Sequence, residues 1–280
     1  MNLEEAINTQ VQMALSEDIG SGDLTAALIS AERQGRATVI TRETMVLCGQ
    51  PWVDAVFRHI DAKVRVDWRL QEGMPAEAGQ TLFSVDGPAR ALLTGERTAL
   101  NFLQTLSATA TVTRRYVDAI KGANAAIVDT RKTLPGLRLA QKYAVKVGGG
   151  VNHRIGLYDG VLIKENHIMA SGGVTHALRC AQENTPAAVP IQIEVETLDQ
   201  LRDALDAGAK LILLDNFDLE RMREAVQMNS GRAKLEASGG VNLVTVRAIA
   251  ETGVDRISIG ALTKDIKAID LSMRFSMDRN

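Results

Sequence analysis

Between Asp129 and Ile168 the chain gathers Arg131, Lys132, Arg138, Lys142, Lys146, Arg154 and Lys164, with His153 and His167, against Asp129, Asp159 and Glu165 as its acids. Three of these basic groups (Arg131-Lys132, His153-Arg154 and Lys164) stand beside apolar runs or glycine-rich turns rather than in a polar tail. The whole chain has 32 Lys and Arg against 34 Asp and Glu, a formal charge of −2. A slightly acidic chain that collects cations at the ends of its elements is built to bind a strongly anionic molecule. Duplex nucleic acid calls for an overall basic excess, so the anion is expected to be small. Guanidinium groups grip planar carboxylates in bidentate fashion, whereas Lys supplies a mobile point charge suited to phosphate.

The elements that must position these residues follow a strict rhythm from about residue 125. Strand-like runs AIVDTR, DGVLIKE, IQIEVE, KLILLDN, KLEASGG and RISIGAL alternate with helical ones, LPGLRLAQKYAVKVGG, VTHALRCAQEN, LDQLRDALDAG, DLERMREAVQMN and NLVTVRAIAETG. Helices of this length between strands imply parallel pairing through right-handed crossovers. The result is an α/β barrel short of eight strands, with a doubly wound open sheet as the competitor. Strand parity favours the barrel. Gln192, Glu194 and Glu196 share one face, as do Lys234, Glu236 and Ser238, and a polar inward face suits a lumen better than a sheet buried on both sides.

Reactive groups of such barrels project from the C-terminal strand ends. Read in order, those ends are Asp129-Thr130-Arg131-Lys132, Lys164-Glu165-Asn166-His167, Glu194-Val195-Glu196, Asp215-Asn216, Ser238-Gly239-Gly240 and Gly260-Ala261. Glycines after the last two strands let backbone N–H groups approach a phosphate. Glu194 and Asp215 are suited to a divalent cation bridging phosphate oxygens, or to ribose hydroxyls; a helix cap or surface ion pair is the plainer role for either. Lys142 and Lys146, at i and i+4, read as a solvated helix face, and His59 and His176 as isolated surface or core residues. Gly148-Gly149-Gly150 has no nucleotide-loop spacing, and no G-x-S-x-G elbow is present.

Before this region, residues 1–30 read as a helix and a loop in which Asp23 caps a short helix. Strands follow at RATVITRETMVLCG, KVRVDWRL and TLFSVDG, with a helix opened by Pro51 between the first two. A long helical tract after Pro88, broken near its start by Gly95, joins a small α+β unit to the barrel. Cys48 and Cys180 lack CxxC spacing, so neither a disulfide scaffold nor a structural zinc is expected, and a reducing cytoplasm is the natural setting. The N-terminus is polar and acidic, unlike a signal peptide, and no apolar run reaches the ~20 residues of a membrane helix. A Schiff-base aldolase using Lys164 and a non-catalytic phosphate binder remain open on residues alone.

The runs GERTALNFLQTLSATAT, DTRKTLPGLRLAQKYAVKVGGGVNHR, LIKENHI, IEVET, LLDNF, ASGGV and ISIGALT resemble those of the quinolinate phosphoribosyltransferase family, and the likeness extends from EDIGSGDLT to DLSMRF. It implies an incomplete (six- or seven-stranded) parallel α/β barrel at about 111–270 behind an N-terminal α+β sandwich at about 1–110, with room for a segment at about 270–280 to pack back on the sandwich. It implies transfer of phosphoribose from 5-phosphoribosyl 1-diphosphate to quinolinate with loss of CO2, giving nicotinate mononucleotide for NAD synthesis. A same-fold relative acting on another base is the alternative. By this resemblance Arg131, His153 and Arg154 clamp the quinolinate carboxylates, with Arg97 donated across a homodimer; a larger assembly is left open. Lys132 and Lys164 lie between quinolinate and phosphate, Glu194 and Asp215 face the ribose and Mg²⁺, and Ser238, Gly239 and Gly260 cradle the 5-phosphate. No nucleic acid or membrane partner is implied.

Overall fold

The computed structural model describes residues 2–276. In chain order the elements are α1 (Leu3–Ile19), β1 (Gln34–Thr41), β2 (Met45–Val46), α2 (Gln50–Ile60), β3 (Arg65–Trp68), β4 (Pro75–Ala76), β5 (Thr81–Pro88) and α3 (Ala89–Ala119). There follow β6 (Ala126–Val128), α4 (Arg138–Val147), β7 (Val161–Ile163), α5 (Glu165–Ser171), α6 (Val174–Asn184), β8 (Ile191–Val195), α7 (Leu198–Asp206) and β9 (Leu211–Asp215). The last are α8 (Leu219–Asn229), β10 (Lys234–Ser238), α9 (Val246–Ala250), β11 (Arg256–Ser258), α10 (Ala261–Lys264) and β12 (Leu271–Ser276).

The described residues divide into two compact units: 2–114, 134–149 and 265–276, and 115–133 and 150–264. The first unit holds an antiparallel sheet ordered β12-β1-β5-β3. β1 alternates exposed and buried positions, so Ala37 and Val39 face the core while Gln34 and Arg36 face water. Behind the sheet pack α1, started by a reciprocal Asn2–Glu5 capping box, and α2, with Pro51 in its first turn. Trp52, Phe57, Phe83, Leu92, Leu103 and Leu106 are buried in one apolar cluster. Asp23 caps the 3₁₀ turn Ala26–Leu28 by accepting the N–H groups of Thr25 (3.0 Å) and Ala26 (2.9 Å).

α3 runs unbroken through Gly95, against the sequence expectation. A Cβ at Gly95 would stand 2.8 Å from Cε1 of Phe57 and 3.0 Å from Cδ1 of Ile60, so the glycine admits α2 at close range instead of stopping the helix. Residues 134–149, read from sequence as part of the barrel, group with the first unit. β12 pairs with β1 from Arg36↔Ser276 to Thr41↔Leu271; the rest of the C-terminal segment lies outside the described residues.

The second unit is a six-stranded parallel sheet ordered β6-β11-β10-β9-β8-β7, an incomplete α/β barrel. Ile127, Ile193, Ile212, Leu214, Leu235 and Ile257 are buried along its strands. β7 stops at Ile163, two residues short of the end of the run DGVLIKE, and α5 begins at Glu165: His167 Nδ1 accepts the Lys164 N–H at 3.0 Å and starts the helix. Among the described residues no helix is long and apolar enough to cross a membrane.

Candidate active site

Parallel strands put every C-terminal end on one edge of the second unit. After β6 come Arg131 and Lys132. The Lys132 backbone is held at both groups: its N–H donates to Thr130 Oγ1 (3.1 Å) and its carbonyl accepts from Thr263 Oγ1 (2.7 Å). A Cβ on Gly260 would lie 3.1 Å from Cδ of Lys132, so the missing side chain leaves room for the lysine stem. His153 and Arg154 follow Val151, which bridges to Val128 of β6. Asp129 accepts the His153 N–H at 2.8 Å, and Asp159 accepts those of Ile155 and Gly156, each at 2.8 Å, folding the loop back on itself. The Arg154 guanidinium donates to the Gly160 carbonyl at 3.0 Å. Its pKa is lowered by partial burial and by the nearby charge of Arg131, with Asp159 opposing. The two guanidinium groups are thus near enough for the charge of one to act on the other.

The acids stand opposite. Glu194 is the last residue but one of β8, and Asp215 ends β9. Burial raises the Glu194 pKa, the charges of Asp215 and Glu196 add to the rise, and Lys164 and Lys132 pull it back. One carboxylate thus feels both lysines and its acidic neighbour, which ties four of the expected site residues into one electrostatic cluster. Asp215 Oδ2 accepts from Asn216 Nδ2 at 2.9 Å, and Asn216 N–H donates to the Ser238 carbonyl at 3.0 Å. Asn216 has a left-handed φ of 56°, a conformation that Asn tolerates. Gly239, at φ 103°, packs against the Asn216 amide where any Cβ would collide. Ser238-Gly239 therefore both exposes backbone N–H groups and leaves space for the residue that orients Asp215.

The described sequence matches the quinolinate phosphoribosyl transferase N-terminal domain over residues 23–107 and the C-terminal domain of the same family over residues 109–274. The chain belongs to the quinolinate phosphoribosyl transferase family. It is 43% identical over 279 residues to the nicotinate-nucleotide pyrophosphorylase (carboxylating) of Mycobacterium leprae, covering 96% of this chain and 97% of that one. It is 41% identical over 257 residues to the probable enzyme of that name from Bacillus subtilis, covering 92% and 89%. A solved nicotinate-nucleotide pyrophosphorylase from Francisella tularensis superposes with a TM-score of 0.95 at 44% identity, over 99% of this chain and 98% of that one.

Within this family fold, ten of the expected site residues lie in the second unit and one, Arg97, on α3 of the first, where it is exposed. Lys142, expected on a solvated helix face, is instead 1% exposed, while its i+4 neighbour Lys146 is exposed. His153 has both ring nitrogens engaged: Nδ1 accepts the Arg154 N–H (2.8 Å) and Nε2 meets Gln192 Oε1 (2.7 Å). Sequence reasoning gave no task to Thr130, Asp159, Asn216 or Thr263: the first, second and fourth hold backbone groups and Asn216 holds the Asp215 side chain, and none of these bonds leaves a mark in residue spacing. It placed Gln192 and Glu236 on a polar inward face but gave them no task. A separate cavity of about 340 Å³, lined by residues such as Met13, Phe102 and Pro135, belongs to the first unit and contains none of these side chains.

Proposed function

We propose that this chain joins quinolinate to 5-phosphoribosyl 1-diphosphate and releases diphosphate and CO2, forming nicotinate mononucleotide. The observation that carries the reading is the polarity of the strand-end cluster: Arg131 and Arg154 side by side, Glu194 and Asp215 as neighbouring acids, and Lys132 and Lys164 within reach of Glu194. Quinolinate is a planar dianion and its co-substrate carries several further negative charges. Their approach in a site of reduced dielectric is repulsive unless cations accompany it. The two guanidinium groups receive the flat carboxylates, and the lysines lie between carboxylate and phosphate. Glu194 and Asp215 face the ribose hydroxyls, and the Ser238-Gly239 turn and Gly260 receive the 5-phosphate.

Bound in this way, the pyridine nitrogen attacks C1 of the ribose as the C1–O bond to diphosphate breaks with oxocarbenium character. Positioning and charge stabilisation supply the main acceleration. Loss of the C2 carboxylate as CO2 then leaves its electron pair on C2, next to a nitrogen that is now cationic, and C2 takes a proton. The adjacent positive nitrogen makes a dedicated base unnecessary. Two carboxylates fit a Mg²⁺ ion completed by substrate oxygens and water, and no cluster of three or more protein ligands exists among the described residues. The ion would neutralise diphosphate charge. A homodimer in which the exposed Arg97 reaches the partner's quinolinate completes the proposal, and the free thiols of Cys48 and Cys180 suit a cytoplasmic setting.

The test is CO2 release by the purified protein with both substrates and Mg²⁺, with each substrate omitted in turn. Release that needs both supports the reading, and its absence with both present overturns it. Turnover with nicotinate in place of quinolinate would instead favour a same-fold enzyme for another base.

A further inference from the structure

A chain of polar side chains crosses the interior of the second unit and ends on His153. Glu236, 1% exposed at the middle of β10, forms an ion pair with Arg256 of β11, Oε2 to Nε, at 3.2 Å. The same oxygen accepts from Nε2 of Gln192 on β8 at 3.2 Å; Gln192 is itself 4% exposed. Gln192 Oε1 then meets Nε2 of His153 at 2.7 Å, and His153 Nδ1 accepts the Arg154 N–H at 2.8 Å. The remaining Glu236 oxygen accepts no hydrogen bond and lies 3.9 Å from His153 Nε2.

Each link dictates the direction of the next. A carboxylate held by Arg256 accepts only, so the Gln192 amide must turn its NH2 toward Glu236 and its carbonyl toward His153. The imidazole must then carry its proton on Nε2, which leaves the Nδ1 lone pair for the Arg154 N–H. Reversing the amide would set carbonyl oxygen against carboxylate and leave a buried donor facing the ring, a double loss in an interior of low dielectric. From these polarities we infer that Gln192 and Glu236 are positioning residues for the reaction. Through one fixed tautomer of His153 they anchor the backbone of Arg154 and so aim its guanidinium at the substrate carboxylate. Burying a glutamate and a glutamine among apolar strands costs stability that an apolar pair would not, and their presence under the strand ends is explained by this orienting task.

The inference rests on the quinolinate reading, and two measurements separate the two. The first needs no turnover: the ring ¹⁵N spectrum of the full chain, with its four histidines labelled and His153 assigned through a His153→Asn variant. An unprotonated Nδ1 and a protonated Nε2 at neutral pH are expected; the opposite tautomer, or fast exchange between the two, overturns the inference even if the enzyme proves inactive. The second is kinetic. Gln192→Glu alone sets two carboxylates together, and Glu236→Gln alone removes the charge that fixes the amide. Each is expected to raise KM for quinolinate by about tenfold or more while KM for the ribosyl diphosphate stays within about twofold. Combining the two is not expected to recover the parent, because Glu236 Oε2 serves both Arg256 and Gln192, and an amide at that position cannot accept from one and donate to the other through the same atom. An unchanged KM for quinolinate, or equal rises in both KM values, would show that the pair serves only the fold.

Discussion

Two glutamates inside this chain show how differently the same side chain can be used. In the first unit, half-buried Glu72 accepts the backbone N–H groups of Gly49 (2.7 Å) and Gln50 (3.2 Å) where α2 begins, and takes further hydrogen bonds from Cys48 and Tyr143. Its backbone bonds close the start of a helix, and none of its partners is an expected site residue. In the second unit, Glu236 touches no backbone donor; its partners are the side chains of Arg256 and Gln192, and the chain they form emerges at Arg154. A carboxylate that closes a helix terminus holds the fold. One that transmits a hydrogen-bond direction to a substrate-facing cation holds a geometry. The lesson is to ask where a buried polar network ends before asking what it is worth.

The sharpest way to break this contrast is at its two outlets. Arg131→Ala should cost ~3 kcal/mol or more in transition-state stabilisation, read as a fall of about two orders of magnitude or more in kcat/KM, because a preorganised charge partner is lost. Its urea midpoint should stay near that of the parent; an unchanged kcat/KM would remove the guanidinium pair from the mechanism. Glu72→Ala should do the reverse. With the Gly49 and Gln50 N–H groups deprived of their acceptor, stability should fall by about 2 kcal/mol in urea unfolding, while kcat/KM per folded molecule holds within about twofold. A large activity loss in the folded fraction would erase the distinction between the two glutamates.

The smallest effect concerns protons. Burial raises the Glu72 carboxyl above its ordinary value of 4.5, against the pull of its backbone hydrogen bonds. The folded chain therefore retains this proton at pH values where the unfolded chain has lost it. The stabilisation from that difference is complete below the ordinary value and disappears as pH rises through the raised one. Relative to Glu72→Gln, the parent should lose stability as pH rises from below 4.5 through the raised value. Urea midpoints that move apart in the opposite sense would contradict the assignment.

Much of this was legible in the residues. Strand and helix alternate so regularly after residue 125 that six strands could be located, and parallel pairing then assigned Lys164, Glu194, Asp215 and Ser238 to one edge. What escaped was decided by three-dimensional neighbours. Gly95 looks like a helix breaker until Phe57 is seen against it. Lys142 looks solvated by periodicity, yet α4 buries it together with Ala140, Gln141 and Ala144. α5 depends on His167 turning back to its own N-cap, a local bond with no periodic signature. The His153 ring shows its type in the sequence but not its hydrogen-bond direction, because that direction is set by Gln192 on a strand 39 positions away.

The strand order carries a consequence for how the protein is made. β6, which leads into Arg131 and Lys132, takes its strand neighbour from β11, in the register Ala126↔Arg256 to Ser258↔Val128. The sheet of the first unit has the same character, since β1 pairs with residues 271–276. A ribosome delivers β6 well before it delivers β11, so the strand that leads into the cations must wait through the synthesis of six intervening helices without that neighbour. Contacts of such separation form slowly. The edge proposed to receive the substrate anions is therefore among the last parts of the molecule to acquire its shape.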